Sequence, residues 1–257
     1  MAILLLRAVL NLARGRKPVG NAGLEMSSVE QIAENLARLK ERVAAAANRA
    51  GVPHESIRIV AVTKMTSVEA IRGAIDAGIE AIGENRVQEA WSKFPEIGRE
   101  VEWHLVGHLQ TNKAAKAAEL FDVVHSVDRF RMAEALSRHA AEHGRTLEVL
   151  IQVNTSGEKT KFGVAPQDTV ALAEKVGQLP AIHVGGLMTI GPFRPDPEQA
   201  RPSFYTLRKI SEKIDSLGFD NIEMKWLSMG MSGDFEVAIE EGANLIRIGT
   251  SIFGPRE

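Results

Sequence analysis

The chain has 257 residues, of which 44% are hydrophobic and 25% are charged, and its formal net charge is −2. This composition is typical of a globular protein with a substantial core, and the interspersed charges argue against a nucleic-acid or anionic-membrane surface. Cysteine is absent, which excludes disulfides, thiolate nucleophiles and thiolate metal sites. We therefore expect a cytoplasmic protein that binds small molecules, with no nucleic-acid partner and no membrane span.

The first 24 residues differ from the rest of the chain, because they contain four basic residues and no acidic one. A secretory signal is disfavoured, since Arg7 interrupts the apolar run and no small-residue cleavage site follows cleanly. Two interpretations remain open: a targeting peptide for an organelle, or a segment without a role in the fold, which is either a disordered extension or the result of a start codon assigned too early, with Met26 as the true start. We favour the second and predict an extension over residues 1–25 and one domain over residues 26–257.

A helix and then a regular alternation of strands and helices follow this segment. Ser27 and Glu30 have capping-box spacing, and five aliphatic residues then recur at helical spacing before a stop near Gly51. Eight short aliphatic runs are predicted to be strands: IRIVAVT, AIGEN, WHLVG, VVHSV, LEVLIQVN, IHVGGLMTI, KWLSMG and NLIRIGT. Amphipathic segments between them predict helices, including SVEAIRGAIDAG, DRFRMAEALSRHAAEHG, PQDTVALAEKVGQ, RPSFYTLRKISEKIDSLG and DFEVAIEEG.

This order of elements predicts an α/β fold, a single (β/α)8 barrel of the TIM type. Strands that are separated by helices run parallel, and eight such units in a chain of this length suit a closed barrel. The last unit has no room for its helix, so the helix after Ser27 is predicted to close the ring from the other end. A doubly wound open sheet is the alternative, disfavoured because no glycine-rich dinucleotide fingerprint follows the first strand.

Two loops near the end of the chain have the composition of an anion site. In a barrel, functional groups lie at the carboxyl ends of the strands, and phosphate is often held after the seventh and eighth. The seventh strand ends in LSMGMSGD, residues 227–234, and the eighth ends in RIGTSIFG, residues 247–254. Small polar residues before a helix are usually a turn and an N-cap, but two such loops at these two strands indicate a phosphate site.

Two cations are predicted to face the barrel interior. Strand alternation places Arg247 on the face opposite to Ile246 and Ile248, and it places Lys64 on the inner face at the end of the first strand. The next helix is predicted to begin in a capping box at Thr66. One interpretation makes both cations part of an ion-pair network, since buried charges need partners. The other is a Schiff-base site, in which a lysine amine condenses with a carbonyl such as the aldehyde of pyridoxal phosphate.

Five segments together resemble the pyridoxal-phosphate homeostasis protein family, which is similar to the barrel domain of alanine racemase. They are VAVTK, GENRVQE, WHLVGHLQTNK, GLMTI and LSMGMSGDFEVAIEEGANLIRIGTSIFG, and the match runs from about Met26 to Phe253. The resemblance implies a barrel that binds pyridoxal 5′-phosphate as an aldimine on Lys64, with Arg247 facing the ring nitrogen. It also assigns cofactor-binding positions to Asn85, Ser228, Met231, Ser232, Gly249 and Thr250.

The function that this resemblance implies is intracellular vitamin B6 cofactor homeostasis, without strong catalysis and without a catalytic residue. A racemase-like enzyme is the alternative, and a Schiff-base aldolase ranks third because no acidic residue or second lysine stands beside Lys64. Racemisation needs two acid/base groups on opposite faces of the substrate carbon. In the racemase the second group is a tyrosine from another domain, which is missing here, and the single tyrosine, Tyr205, lies at the start of a predicted helix.

No metal site is predicted. His104 and His108 have the spacing of a zinc pair, but they straddle a strand end, and neither a general-base glutamate nor a third ligand follows. The expected partners are pyridoxal phosphate itself and pyridoxal-phosphate enzymes as transient recipients, and the expected state is a monomer.

Overall fold

The structure, a computed structural model, describes residues 28–158 and 160–255. Within these residues, eight parallel strands form a closed barrel in which each strand is hydrogen-bonded to the next and the eighth pairs with the first. The strands are β1 (Arg58–Val62), β2 (Ala81–Glu84), β3 (Glu102–Leu105), β4 (Val123–Val127), β5 (Leu147–Gln152), β6 (Ile182–Met188), β7 (Ile222–Ser228) and β8 (Leu245–Ile248). The predicted (β/α)8 barrel is confirmed.

Helices cover the outside of the barrel. They are α1 (Ser28–Ala50), α2 (Val68–Asp76), α3 (Val87–Ile97), α4 (Ala114–Leu120), α5 (Phe130–Glu142), α6 (Thr169–Gly177), α7 (Arg201–Asp215), α8 (Phe235–Glu240) and α9 (Thr250–Phe253). α3, α4 and α9 are additional to the helices named from the sequence, and α9 shows that the last unit has a helix of four residues where none was predicted. Across residues 28–158 and 160–255, no helix combines the length and apolar composition that crossing a bilayer requires.

The start of α2 differs by one residue from the predicted capping box. The side chain of Ser67, and not that of Thr66, accepts the hydrogen bond from the N–H of Ala70, at 3.2 Å. Thr66 instead belongs to the turn after β1, where its N–H donates to the carbonyl of Thr63 at 3.0 Å. The turn therefore takes one more residue than the sequence pattern predicts.

The strand residues divide between two cores, as alternation requires. The outer core lies between the strands and the helices and contains Ile246 and Ile248. Smaller clusters inside the barrel contain Val60 and Leu245. Arg247 alternates with the two isoleucines and points inward, which confirms the prediction for its strand.

α1 fills the position in the ring that the short final helix leaves open. Its buried face consists of Ile32, Leu36, Leu39, Val43, Ala46 and Ala47. This face packs against α2, α8 and α9, and the amide of Asn35 donates to the carbonyl of Ile252 at 3.0 Å. The prediction that this helix closes the ring is confirmed. The predicted capping residue Ser27 and the extension over residues 1–25 lie outside the described residues.

The junction between β7 and β8 has the shortest ladder of the barrel. Ser228 and Leu245 are its single registered pair, whereas β1 and β8 are paired over four residues. Further bonds supplement this junction. The side chain of Asn244 accepts from the N–H of Leu227 at 2.8 Å and donates to the carbonyl of Lys225 at 2.6 Å, and the N–H of Arg247 donates to a carbonyl in the loop after β7 at 3.0 Å. Both loops of the predicted anion site leave the barrel here.

Candidate functional site

Lys64 lies in the turn that leaves β1 at the carboxyl end of the barrel. It is half-buried and follows Val62, whose side chain packs in the inner core. The next residue, Met65, has a φ of 55°, a left-handed conformation that costs a residue with a side chain about 1–2 kcal/mol. The neighbouring ion pairs are made by Lys93, and none within the described residues includes Lys64. The ion-pair interpretation of Lys64 is therefore not what the structure shows.

A hydrogen-bonded clamp, formed by Lys93 and Glu89, holds the backbone on both sides of Lys64. The amine of Lys93 donates to the carbonyl of Thr63 at 2.8 Å and to the carboxylate of Glu89 at 2.8 Å. The same carboxylate accepts the backbone N–H of Met65. Because the residues before and after Lys64 are both fixed, the direction in which its side chain leaves the turn is fixed too.

A buried carboxylate completes this clamp. Glu84 accepts a bond from the amine of Lys93 and one from the hydroxyl of Thr63, each at 2.7 Å, and its other oxygen is buried without a partner. Burial raises the pKa of Glu84, and the two hydrogen bonds oppose this shift only in part. Burial acts in the same direction on Glu89, but hydrogen bonds from Lys93 and from the N–H of Met65 outweigh it and lower the pKa of that carboxyl.

Arg247 is buried in the barrel interior with a relative exposure of 4%. Its guanidinium donates to the hydroxyl of Ser228 at 2.6 Å and to the carbonyl of Thr189 at 2.8 Å. Burial lowers the pKa of Arg247 to about 10, partly offset by the charge of Asp234. A cation is thus held at a fixed place in the mouth, and both of its hydrogen-bond partners are uncharged.

The loops after β7 and β8 lie against each other. The N–H of Ser251 donates to the hydroxyl of Ser232 at 3.4 Å, which joins the two loops. Gly249 is buried at the start of α9, and Thr250 is exposed beside it. The N–H of Met231 donates to a carboxylate inside its own loop at 2.7 Å, so this N–H is already used. The structure therefore brings the two loops together at Ser232 and Ser251.

Asn85 follows β2, the strand that pairs with β1, and its residue is half-buried. The loop after β3 packs tightly on it: a Cβ built on Gly107 would lie 2.2 Å from the carbonyl oxygen of Asn85. Only glycine allows this approach. All eight predicted positions thus lie at or just after the carboxyl ends of four consecutive strands, β7, β8, β1 and β2: Lys64, Asn85, Ser228, Met231, Ser232, Arg247, Gly249 and Thr250.

This architecture and sequence match known proteins over nearly the whole chain. The family model described as alanine racemase, N-terminal domain, matches residues 31–257. The pyridoxal phosphate homeostasis protein of Aquifex aeolicus is 40% identical over 225 residues, which cover 87% of this chain and 98% of that protein. The chain belongs to the pyridoxal phosphate homeostasis protein family. The protein of the same name from Escherichia coli K12 is 40% identical over 233 residues, covering 89% of this chain and 98% of that protein.

Solved structures similar to this member of the pyridoxal phosphate homeostasis protein family include PipY of Synechococcus elongatus with PLP bound. PipY is 38% identical, with a TM-score of 0.75 over 87% of this chain and 100% of that chain. An unknown protein from Bifidobacterium adolescentis is also 38% identical, with a TM-score of 0.85 over 92% of this chain and 100% of that chain. Alanine racemase of Clostridium difficile is 15% identical, with a TM-score of 0.72 over 88% of this chain and 57% of that chain, a likeness that shows the fold alone.

Several polar residues of this family member's mouth and interior were not predicted from the sequence. They are Thr63, Glu84, Glu89, Lys93, His125 and Thr189. For His125 a signal existed, since alternation in VVHSV places it on the inner face with Val123. No group of three or more metal-ligating side chains occurs among residues 28–158 and 160–255. His104 contacts His125, and His108 stacks on Phe162 with ring centroids 3.7 Å apart.

Proposed function

We propose that the chain binds pyridoxal 5′-phosphate at the carboxyl end of the barrel and acts in intracellular vitamin B6 homeostasis as a monomer. It holds the cofactor without substantial turnover of a substrate and passes it transiently to pyridoxal-phosphate enzymes. One observation carries the proposal: a buried guanidinium, Arg247 on β8, and a half-buried amine, Lys64 after β1, stand on adjacent strands. Membership of the family and the PLP bound to PipY support it.

The residues of the mouth suit the three chemical parts of pyridoxal phosphate. When bound, the cofactor supplies an aldehyde that condenses with a lysine amine, together with a pyridine nitrogen and a phosphate. Lys64 would take the aldehyde. Arg247 would face the nitrogen, because a guanidinium only donates hydrogen bonds and its present partners are both uncharged. The phosphate would lie against the hydroxyl and N–H groups of Ser232, Gly249 and Thr250.

The remaining three positions have supporting roles in this proposal. Asn85 lies one strand from Lys64 and would stand beside the ring. Ser228 accepts a bond from Arg247 and would keep the guanidinium in place. Met231 would contact the cofactor with its side chain, because its N–H is used inside its own loop.

Two features favour a holder over an enzyme. A guanidinium donating to the ring nitrogen leaves that nitrogen unprotonated, which weakens the electron sink on which carbanion chemistry depends. The single tyrosine, Tyr205, lies on the outer helix α7 with 48% exposure, where Arg208 and Lys209 stand over its ring at 5.1 and 5.7 Å. It does not supply a second acid/base group in the mouth.

The proposal is tested with purified, cofactor-loaded protein by visible absorbance before and after borohydride, followed by peptide mapping. We expect a pyridoxyl group on Lys64 and its loss in Lys64→Ala, with weak noncovalent binding retained by the phosphate loops. Arg247→Ala should weaken binding and still allow the covalent bond. Lys113→Ala, which removes a lysine of the loop after β3, is the matched control and should behave like the unaltered protein. A pyridoxyl group on any lysine other than Lys64 contradicts the assignment.

A further inference from the structure

A continuous series of hydrogen bonds crosses the barrel interior from Arg247 to the opposite end. The Ser228 hydroxyl, which accepts from Arg247, is 3.0 Å from Nδ1 of His125. Nε2 of His125 is 2.8 Å from Nδ1 of His104, whose own Nε2 is 3.0 Å from Glu102. The three middle residues are almost fully buried, whereas Glu102 is partly exposed and lines a cavity of about 620 Å³ outside the amino-terminal end of the barrel. We call these five residues the interior relay.

The two ends of the interior relay determine the direction of its hydrogen bonds. Arg247 has only donors, so the oxygen of Ser228 accepts from it. Glu102 is a carboxylate at neutral pH, because its contacts with His104 and with the Arg58 guanidinium at 2.7 Å hold its pKa below the ordinary value of a glutamate against the effect of burial. Nε2 of His104 therefore carries the hydrogen and donates to Glu102. Burial lowers the pKa of His125 well below its ordinary value.

We propose that His125 and His104 are positioning residues for Arg247, both as neutral rings with hydrogen on Nε2. Nδ1 of His125 accepts the Ser228 hydroxyl hydrogen and so leaves an oxygen lone pair for the guanidinium, while Nδ1 of His104 accepts from His125. In this arrangement each ring accepts on the side of Arg247 and donates on the side of Glu102. Every polar atom of the series is then satisfied, as buried groups require. The reverse arrangement of neutral rings would set a bare nitrogen of His104 against the carboxylate of Glu102.

The charges around the interior relay are consistent with this arrangement. At one end, Arg58 lies 2.7 Å from Glu102 and, with Lys225, favours its ionised form. At the other end, Asp234 acts on Arg247 and partly compensates its burial. The positive end of the interior relay, Arg247, is thus the end that donates, and the negative end, Glu102, is the end that accepts. The consequence for Arg247 rests on the proposed cofactor site, whereas the hydrogen positions on the two rings do not.

The hydrogen positions are measured by long-range ¹H–¹⁵N NMR of the cofactor-free full chain at neutral pH. His125→Asn and His104→Gln provide the assignments. We expect both rings to be neutral with hydrogen on Nε2. An imidazolium at His125, or hydrogen on Nδ1 of either ring, overturns the inference. Because no cofactor is present, this result is independent of the proposed function.

The effect on Arg247 is measured by loading the same variants with pyridoxal phosphate and recording its dissociation constant and visible spectrum. His125→Leu removes the acceptor for the Ser228 hydroxyl, and we expect about tenfold weaker binding and an altered pH dependence of the spectrum. The oxygen of His125→Asn stands near the place of Nδ1 and should restore most of the affinity. His139→Leu, on the outer helix α5, is the control and should change neither property.

A double variant keeps this test decisive. Ser228→Ala combined with His125→Leu should bind no more weakly than the weaker of the two single variants, because both act through one hydroxyl. A folded His125→Leu protein with unaltered affinity and spectrum, or additive losses in the double variant, overturns the inference. If His125→Leu does not fold, the NMR result and His125→Asn decide. Failure of every protein, including the unaltered chain, to bind the cofactor refutes the proposed function and leaves the NMR result valid.

Discussion

At the scale of single residues, Lys93 determines how the proposed cofactor lysine is presented. Its amine has three hydrogen-bond partners, two carboxylates and the carbonyl before Lys64, and its side chain is only 10% exposed. A buried ion pair of this kind contributes little net stability when it is intact, because desolvation offsets the attraction. Losing one partner is far more costly, since the other charge stays buried. The clamp therefore fixes geometry more than it stabilises the fold.

Lys93→Met is expected to destabilise the protein by about 3–5 kcal/mol, because it leaves Glu84 and Glu89 without their common cation. Urea unfolding at pH 7 measures this loss. Lys175→Met, on the exposed face of α6, is the matched control and should change the free energy of unfolding by less than about 0.5 kcal/mol. Equal stability of the two variants would show that the clamp carries no such ion-pair energy. In the Lys93 variant, covalent bonding of the cofactor to Lys64 should also become slower.

At the scale of elements, α1 is the first element that the structure describes, and it closes the ring. Its buried face runs from Ile32 to Ala47, so all of these packing residues lie after residue 25. We expect removal of residues 1–25 to leave the thermal unfolding midpoint and cofactor binding unchanged. Removal of residues 1–40, which takes half of α1, is the contrasting variant and should prevent folding. Insoluble or cofactor-free protein from the shorter truncation would contradict this expectation.

Strands and helices could be predicted from the sequence where a short run of neighbouring residues shows which side chains are buried. Strands of a closed parallel barrel are covered on both faces, so they read as short aliphatic runs, and all eight were found that way. α3 and α4 were not named, because Pro95 interrupts the helical pattern of α3 and the alanine-rich α4 has a weak apolar face. The hydrogen bonds of the clamp and of the interior relay could not be predicted from the sequence, because their partners are distant in the chain. Lys93 and Thr63 are 30 residues apart, and His125 and Ser228 are 103 residues apart. The ligand contacts of the eight predicted positions stay predictions.

At the scale of the whole molecule, the barrel is expected to hold its cofactor without efficient racemisation. Purified, loaded protein incubated with L- and D-alanine in deuterated water should show no α-proton exchange or chiral inversion at enzyme-like rates. The physical reason is the combination of Arg247, which we propose to face the ring nitrogen, with the outward position of Tyr205. A Lys64→Ala protein is the control for background chemistry. Rapid exchange that disappears in this control would favour the racemase-like alternative.

The short ladder between β7 and β8 makes this junction the least extensively paired one in the barrel. The strands there share a single registered pair, so separating them disrupts a shorter ladder than opening the barrel between β8 and β1. Local opening follows the weakest set of contacts. A phosphate that contacted the loops on both sides of this junction would hold the two strands together. Release of the ligand would then be coupled to local opening of the barrel between β7 and β8, and this opening would be easiest in the protein without ligand.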